Sequence, residues 1–302
     1  MKRVDKTLNK ARGKALFLHS GATGNGWVDR HAEKVVARLG EIFESVEQRH
    51  PTSVEELRNE AIASCGVYDA LIVSGGDGTF NNVVSALVGR DNAPTLGYIN
   101  GGTMSDVGKN FGVHGSLSRA LRIIEEGHTT GFDVISAGDR YAVYMAAVGA
   151  YADIAYVTKR NRKKRFGRLS YYSKAVQEAF MPKKYIWNIR TENGEYEGKT
   201  PFVLCLNGRY VGGFPVNRRK SGMHDGKFEL YLTKPGLFNG LVHYLFFKAR
   251  TVQIEASECH ISTSCPDPWC LDGEMAGVGE LTLRCIDSGL RVFCDKKYAE
   301  AE

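Results

Sequence analysis

Three glycines and an aspartate occupy four consecutive positions, in the order Gly75, Gly76, Asp77 and Gly78. Glycines have no side chain to hold a ligand away from the backbone, and the N–H groups at the start of a helix attract anions. Asp77 would repel a bare phosphate among those amides, so its place makes sense if it holds Mg²⁺ or accepts a proton. The segment predicts a phosphate site with one functional carboxylate; the alternative is a purely structural turn.

The residues on either side of these positions predict the elements that hold them. Leu71, Ile72 and Val73 form an apolar run without polar alternation, which is typical of a parallel strand buried on both faces. After the glycines, apolar residues recur with the spacing of one helix face: Phe80, Val83, Val84 and Leu87. The phosphate site is therefore predicted at a strand-to-helix turn.

The length and composition of the chain limit its class. It has 302 residues, 43% of them hydrophobic, which is enough for two domains with apolar cores. The net charge of +6 suits an anionic partner such as a nucleotide or an acidic membrane surface, and we expect no nucleic-acid partner. No run approaches the roughly 20 apolar residues that span a bilayer, and the first residues lack a convincing signal peptide. We expect a cytoplasmic protein.

Seven cysteines, an odd number, are scattered through strand-like segments. This usage fits a reducing compartment better than a disulfide framework. One cluster, CHISTSCPDPWC, contains Cys259, His260, Cys265 and Cys270, but its spacing matches no reliable zinc pattern. We interpret these thiols as buried strand residues.

Strands and helices alternate from residue 15 onward, which predicts a doubly wound, Rossmann-like α/β domain. We place this domain at residues 1–131, to which residues from about 290 to 302 could return. A second helix start is marked by the capping-box pair Ser53 and Glu56, after a short strand near SVEQRH. The first predicted helix carries its apolar residues on one face: Val28, Val35, Val36, Leu39 and Phe43.

Strand-like runs joined by turns dominate the remaining chain, and we place a second domain at residues 132–290. The dipeptide Asn193-Gly194 between two such runs predicts a hairpin. Helical periodicity persists in YYSKAVQEAF and around LVHYLFFKA. We predict a mostly antiparallel C-terminal domain, a β-sandwich or a half-open barrel.

Six landmarks occur in a fixed order between residues 19 and 274: HSGATGNG, GGDGTFNNVV, GYINGGTMSDVGKNFG, FDV, NGRYVGGFPVNRRKSGMHDGKFEL and LDGE. Together they resemble the diacylglycerol kinase catalytic-domain family, which includes sphingosine kinases and is distantly similar to NAD kinases. The chain looks like a bacterial soluble lipid kinase of this family. The residues FNNVV after the glycine motif resemble the lipid branch more than the NAD kinases.

The resemblance implies that ATP binds between the domains with its phosphates over the glycine turns. Thr52 matches a nucleotide-contacting threonine of the family, although a simple helix-start role is equally compatible with its position. The nucleotide-binding residues that the resemblance implies are Ser20, Gly21, Thr52, Gly75, Gly76, Asp77, Gly78, Thr79, Asn81, Gly102, Thr103 and Asp106.

Two carboxylates are candidates for the general base that would take the proton of the lipid hydroxyl. Glu274 in LDGE matches the family's proposed base, and its alternative is an exposed acid on a hairpin turn. Asp77 matches the aspartate that is given this role in sphingosine kinases. The sequence leaves the choice between them open.

The resemblance also implies a structural Mg²⁺ held by Asp225 of the HDG segment. Backbone carbonyls near Gly222 and Lys227 would complete the site, and Asp133 matches an aspartate that links this ion to the active site. Such hard oxygen ligands suit Mg²⁺. A plain hairpin turn at Asp225-Gly226 is the alternative.

Three positions depart from the family pattern. Asn82 stands where glutamate is usual, Asn100-Gly101 replaces a Pro-x pair, and Ser105 replaces the asparagine before Asp106. These departures put individual nucleotide contacts in doubt more than the fold.

We expect an ATP-dependent, Mg²⁺-dependent lipid kinase acting on diacylglycerol; the alternatives are an NAD kinase or a non-catalytic nucleotide-binding regulator. The basic stretch KRNRKKRFGRLSYY, residues 159–172, is expected to make peripheral contact with anionic lipid, against the alternative of a solvated loop. The identity of the lipid is open, and so is whether the protein is a homodimer.

Overall fold

The computed structural model of the protein describes residues 12–19, 31–102, 105–149, 184–216, 223–233 and 251–299. The chain divides into two compact units. Unit 1 contains Met1–Gly102, Val113–Thr130 and Leu290–Glu302, and unit 2 contains Thr103–Gly112 and Gly131–Gly289. Within the described residues, no helix combines the length and hydropathy that a membrane-spanning segment requires.

The described helices are α1 (Ala32–Leu39), α2 (Val54–Ala63), α3 (Asp77–Leu87), α4 (Asp106–Asn110) and α5 (Leu117–Glu126). The first strands are β1 (Arg12–His19), β2 (Phe43–Arg49), β3 (Ala70–Gly75), β4 (Thr95–Asn100), β5 (Thr129–Ala137), β6 (Arg140–Ala142), β7 (Met145–Gly149), β8 (Tyr185–Thr191) and β9 (Gly194–Thr200). The others are β10 (Phe202–Leu206), β11 (Tyr210–Val211), β12 (Phe214–Pro215), β13 (Phe228–Thr233), β14 (Thr251–Ala256), β15 (Glu258–Thr263), β16 (Pro268–Leu271), β17 (Glu274–Val278) and β18 (Leu281–Phe293).

Unit 1 is built on a parallel sheet in the order β2-β1-β3-β4, and the end of β18 joins its far side where Val292 pairs with Leu96. Every residue of β3 is buried, as expected for a strand with a parallel neighbour on each side. The predicted apolar face of α3 is also buried, which confirms the strand-to-helix turn: Phe80, Val83, Val84 and Leu87.

The start of α2 confirms the predicted capping box. Ser53 is the N-cap, and its hydroxyl accepts a hydrogen bond from the Glu56 N–H at 3.0 Å. The Glu56 carboxylate accepts from the Thr52 N–H at 2.7 Å and from the Thr52 hydroxyl at 2.9 Å. These bonds from Thr52 lower the pKa of Glu56, because they favour its ionised form. The first turn of α2 is thereby closed by side chains.

The prediction for the first helix is wrong at its C-terminal end. The helix α1 stops at Leu39, Gly40 is its C-cap, and Phe43 is the first residue of β2 and buried there. Phe43 has the apolar character and the spacing of the helix face, but the turn at Gly40 separates it from α1. It is buried because it belongs to the sheet. Val35 and Leu39 are buried as predicted, while Val28 lies outside the described residues.

Unit 2 contains two antiparallel sheets. One has the order β14-β13-β10-β7-β16-β17. In the other, β18 pairs with β5 and with β15, and β15 is followed by β8 and β9. Buried side chains from both sheets form one core: Ile135, Val148, Trp187, Val203, Phe228, Leu230, Ile261, Trp269 and Leu283. This packing of sheet on sheet confirms the predicted β-sandwich.

The hairpin predicted at Asn193-Gly194 is confirmed, because β8 and β9 pair up to Thr191 and Gly194. Cys259 in β15 and Cys270 in β16 are buried strand thiols as predicted, whereas Cys265 is buried in the turn between these strands. The helices predicted in YYSKAVQEAF and LVHYLFFKA and the basic stretch 159–172 lie outside the described residues.

Candidate active site

Two glycine turns lie in backbone contact at the carboxyl ends of β3 and β4. The Gly101 N–H donates to the Gly75 carbonyl at 2.8 Å. A methyl group on Gly102 would lie 2.8 Å from the Gly76 Cα, and one on Gly75 would lie 2.5 Å from the Thr79 Cβ. A side chain on Gly102 would therefore separate the two turns, and one on Gly75 would push the first turn away from Thr79 of α3.

Asp77 begins α3, directly after the N-cap Gly76, and is half-buried. The first N–H groups of a helix have no partner inside the helix, so the start of α3 favours an anion. Thr79 and Asn81 are buried in its first turns, and the Asn81 amide oxygen accepts a hydrogen bond from the Ser85 hydroxyl at 3.3 Å. Unit 1 therefore brings together the candidate phosphate-site residues Gly75, Gly76, Asp77, Gly78, Thr79 and Gly102.

Thr52 and three further nucleotide-binding candidates are less informative. Thr52 is exposed, and its hydroxyl donates to Glu56 within the helix cap. Ser20, Gly21 and Thr103 lie outside the described residues.

Two departures from the family pattern have a visible structural role. The Asn100 side-chain oxygen accepts from the Gly102 N–H at 2.9 Å, so it closes the second glycine turn. Asn82 accepts from the Arg58 Nε at 3.1 Å and donates to the Gly78 carbonyl at 2.8 Å, which links α2 to the first turn of α3. The side-chain amides of Asn100 and Asn82 therefore each hydrogen-bond to the backbone of a glycine turn.

Asp106, at the start of α4 in unit 2, is almost fully buried. Its two carboxylate oxygens accept hydrogen bonds from the Gly212 and Gly213 N–H groups at 2.7 and 2.8 Å. Burial raises the pKa of Asp106, although these hydrogen bonds and Lys109 oppose the shift. The residue before it, Ser105, has a left-handed backbone with φ 55°, a conformation that the family's usual asparagine adopts more readily.

Glu274 follows a two-residue turn and is exposed at the start of β17. The turn residues Asp272 and Gly273 both have positive φ, 47° and 85°, which is the conformation of a tight type I′ hairpin. Leu271 pairs with Glu274 across this hairpin. The turn therefore fixes where the candidate base emerges from the sheet.

Asp272 is a residue that the sequence interpretation missed. It is 1% exposed, and its carboxylate accepts hydrogen bonds from three consecutive backbone N–H groups, of Val143 at 2.5 Å, Tyr144 at 3.1 Å and Met145 at 2.9 Å. The Asp-Gly pair signals a turn, but nothing near it in sequence indicates these distant amides. Asp272 anchors the LDGE turn to the strand β7.

The segment predicted to hold Mg²⁺ surrounds Asp133, which is 2% exposed. Asp133 accepts from the Gly226 N–H at 2.7 Å, and Asp225 accepts from the Lys227 N–H at 3.1 Å. Burial raises the pKa of Asp133, and the negative charges of Asp287 and Asp225 add to the shift. Converging carboxylates suit a divalent cation; Gly222 lies outside the described residues.

Comparisons with known proteins agree with this assembly. Residues 14–137 match the diacylglycerol kinase catalytic domain. A diacylglycerol kinase of Staphylococcus aureus is 35% identical over 131 residues, which make up 43% of this chain and 40% of that protein. A Streptococcus pneumoniae serotype 4 protein provisionally named a lipid kinase is 29% identical over 194 residues, 64% of this chain and 66% of the relative. The predicted resemblance to diacylglycerol kinases is confirmed.

Solved structures confirm the fold class. A crystal structure from Bacillus anthracis str. Sterne, provisionally named a diacylglycerol kinase, superimposes with a TM-score of 0.82 at 21% identity and covers 95% of this chain and 96% of its own. At this identity the likeness concerns the fold. The sequence matches span at most 66% of the two curated relatives. Both relatives carry lipid kinase names, and neither is named an NAD kinase.

The domain match has a clear limit along the chain. It contains both glycine turns, Asp106 and Asp133, and it ends before Asp225 and Glu274. The assignment of Asp225 and Glu274 therefore depends on the motifs HDG and LDGE and on their local structure.

Proposed function

We propose that the protein transfers the γ-phosphate of ATP to a lipid hydroxyl, with diacylglycerol as the substrate and Mg²⁺ as the metal. The observation that carries this proposal is the pair of glycine turns in backbone contact, with Asp77 at the start of α3 between sheet and helix. Such a site offers backbone amides to phosphates and one carboxylate to a metal.

In the proposed reaction, the lipid hydroxyl oxygen forms a bond to the γ-phosphorus while the bond from that phosphorus to the β,γ-bridging oxygen breaks. ADP leaves, and the hydroxyl proton passes to a carboxylate of the protein. The amides of the glycine turns hold the phosphates in place for the in-line displacement. Asp77 would hold Mg²⁺, which neutralises negative charge on the phosphates.

We propose Glu274 as the general base. Glu274 is an exposed carboxylate at the start of a strand, held in place by the Asp272 turn, and such a carboxylate can take the proton of a hydroxyl bound beside it. Asp77 lies among the amides that would bind phosphate and is better suited to the metal. The alternative, with Asp77 as the base, makes opposite predictions.

Conservative substitutions distinguish between the two candidate bases. We expect Glu274→Gln to bind ATP normally and to lose about 10²- to 10⁴-fold in turnover, because glutamine keeps the shape but cannot take a proton. We expect Asp77→Asn to weaken Mg-ATP binding as well. ATP affinity from calorimetry and turnover from phosphate transfer give both quantities. A Glu274→Gln enzyme within a few-fold of wild type, together with an inert Asp77→Asn enzyme that binds ATP, would reverse the assignment.

The substrate is tested by offering diacylglycerol, a polyprenol and NAD side by side with labelled ATP. We expect label in the phosphorylated diacylglycerol. Transfer to the polyprenol would keep the lipid kinase and change its substrate, whereas transfer to NAD would refute the lipid kinase. ATP binding without transfer to any acceptor would favour a nucleotide-binding regulator.

A further inference from the structure

Glu274 lies on the outermost strand of its sheet. The order β14-β13-β10-β7-β16-β17 places β17 at the edge, with β16 as its one partner among the described strands. The pairing of these two strands is irregular between Pro268 and Cys270. An edge strand is held by a neighbour on one side only, so it opens more readily than an inner strand. A general base on such a strand needs further support to keep its carboxylate in place.

One support precedes Glu274 in the chain. The Asp272 carboxylate accepts hydrogen bonds from the backbone N–H groups of residues 143–145 and thereby ties the turn to β7. This anchor acts through the turn, and the residues of β17 that follow Glu274 lie beyond it.

The second support is Arg140, which binds the residue directly after Glu274. The Arg140 Nη1 donates a hydrogen bond to the Met275 carbonyl at 2.5 Å. Arg140 begins β6, and β6 pairs with β5 in the other sheet of unit 2. The side chain therefore links the two sheets, and only the fold brings these two residues together, because they are 135 positions apart in the sequence.

Arginine is well suited to this contact. Its guanidinium group keeps its charge at every physiological pH and presents its N–H groups in a planar fork, and a charged donor forms a stronger hydrogen bond than a neutral one. The bond ends on a backbone oxygen of Met275. It can thereby fix the strand without occupying an oxygen of the carboxylate that has to accept the proton.

We propose that Arg140 is a positioning residue for Glu274. By holding the Met275 carbonyl, it fixes β17 at the position next to the base and keeps the carboxylate at a constant distance from the hydroxyl of the substrate. A displacement of about 1 Å at a reacting group can cost about 10²-fold in rate. The inference rests on the proposed role of Glu274 as the general base.

Substitution of Arg140 measures this role. Arg140→Gln removes the charge and shortens the side chain, so it should no longer reach the Met275 carbonyl. We expect a loss of about 10- to 100-fold in turnover with unchanged ATP affinity. Arg140→Lys keeps a charged donor of similar length and should recover most of the turnover. Phosphate transfer to diacylglycerol gives the turnover, and calorimetry gives the ATP affinity.

A double-mutant cycle shows whether Arg140 acts through Glu274. In protein that already carries Glu274→Gln, the further change Arg140→Gln should alter the remaining turnover by less than about 2-fold, because the carboxylate that Arg140 positions is gone. A bond that only stabilises the fold would cost the same factor with and without the base. Arg140→Met, which keeps the apolar stem, provides a second variant for the cycle.

Arg190→Gln is the matched control. Arg190 is an exposed arginine in β8 of the same unit, and it forms an ion pair with Glu195 at 3.1 Å. We expect this variant to keep the turnover of wild type, since exposed ion pairs contribute little. Circular dichroism and thermal melting of each variant confirm that it is folded.

Two results would overturn the inference and leave the proposed function intact. Arg140→Gln could keep wild-type turnover although Glu274→Gln loses it, or the two losses could multiply in the double variant, which would make Arg140 independent of the base. A Glu274→Gln enzyme with wild-type turnover would instead refute the proposed base, and this inference with it.

Discussion

At the scale of single residues, Asp106, Asp133 and Asp272 share one arrangement. Each is a buried carboxylate that accepts hydrogen bonds from backbone N–H groups. Burying a carboxylate is costly unless its oxygens are hydrogen-bonded, and backbone amides offset that cost without adding another side chain. Each aspartate thereby fixes a loop: residues 212–213, the Gly226 turn and residues 143–145.

Asp272→Asn should reveal how strongly the LDGE turn depends on this arrangement. The amide that replaces one oxygen would point its own N–H groups at backbone donors, so we expect a loss of about 1–3 kcal/mol in the free energy of unfolding. Urea unfolding followed by circular dichroism measures the loss. Asp139→Asn, in the exposed turn before β6, is the control and should stay within about 0.5 kcal/mol of wild type. An equally small change for Asp272→Asn would refute the anchoring role.

At the scale of elements, the nucleotide-site candidate consists of two strand-to-turn units side by side. β3 and β4 are parallel neighbours that run in register up to the pair Gly75 and Asn100. Their turns therefore leave the sheet at the same level, and Asn100 closes the second turn on Gly102. The contact between turns depends on the absence of side chains, which makes it sensitive to a single methyl group.

Gly75→Ala tests how tightly the first glycine turn packs on α3. The added Cβ would meet the Thr79 side chain at 2.5–2.7 Å, so the start of α3 must shift. We expect a loss of about 1–3 kcal/mol in stability and weaker ATP binding, measured by thermal unfolding and calorimetry.

Gly198→Ala is the matched control for this substitution. Gly198 lies in β9, and a Cβ there would meet no atom within 4 Å. We expect unchanged ATP affinity and stability equal to or slightly above that of wild type. Normal ATP binding by Gly75→Ala would show that the tight turn does not serve the nucleotide.

At the scale of the whole molecule, the question is how a protein with this chemistry would reach a lipid. The net charge of +6 favours an anionic surface, and the basic stretch 159–172 concentrates this charge. We propose that the stretch makes peripheral contact with anionic membranes. Each cation near such a surface contributes about 1 kcal/mol.

Replacing Lys163, Lys164 and Arg165 by glutamine should therefore weaken binding to anionic vesicles by up to about 100-fold, with ATP affinity unchanged. Sedimentation with phosphatidylserine-containing vesicles at low and physiological salt measures the effect, which salt should reduce. The control removes the same charge from exposed positions elsewhere: Lys34, Arg122 and Lys199. Equal effects of both triple variants would mean that net charge alone governs binding.

The sequence by itself determined the features that depend on neighbouring residues. The apolar run before Gly75 and the spacing from Phe80 to Leu87 specify the strand, the turn and the helix. The Ser53 and Glu56 pair specifies where α2 begins. Burial periodicity, capping and turn chemistry act over a few residues, so their patterns are visible along the chain. The end of α1 was misplaced because Phe43 fits the helical spacing and yet belongs to β2.

Only the tertiary structure decided which distant groups meet. Asp272 binds amides that are 127 to 129 residues away, residues 103–112 group with unit 2, and His224 and Asp287 join Asp133. A hydrogen bond or a shared ligand site between such residues leaves no periodic pattern in the sequence. The pairing register of the sheets sets their positions, because each side chain's surroundings depend on which strands become neighbours.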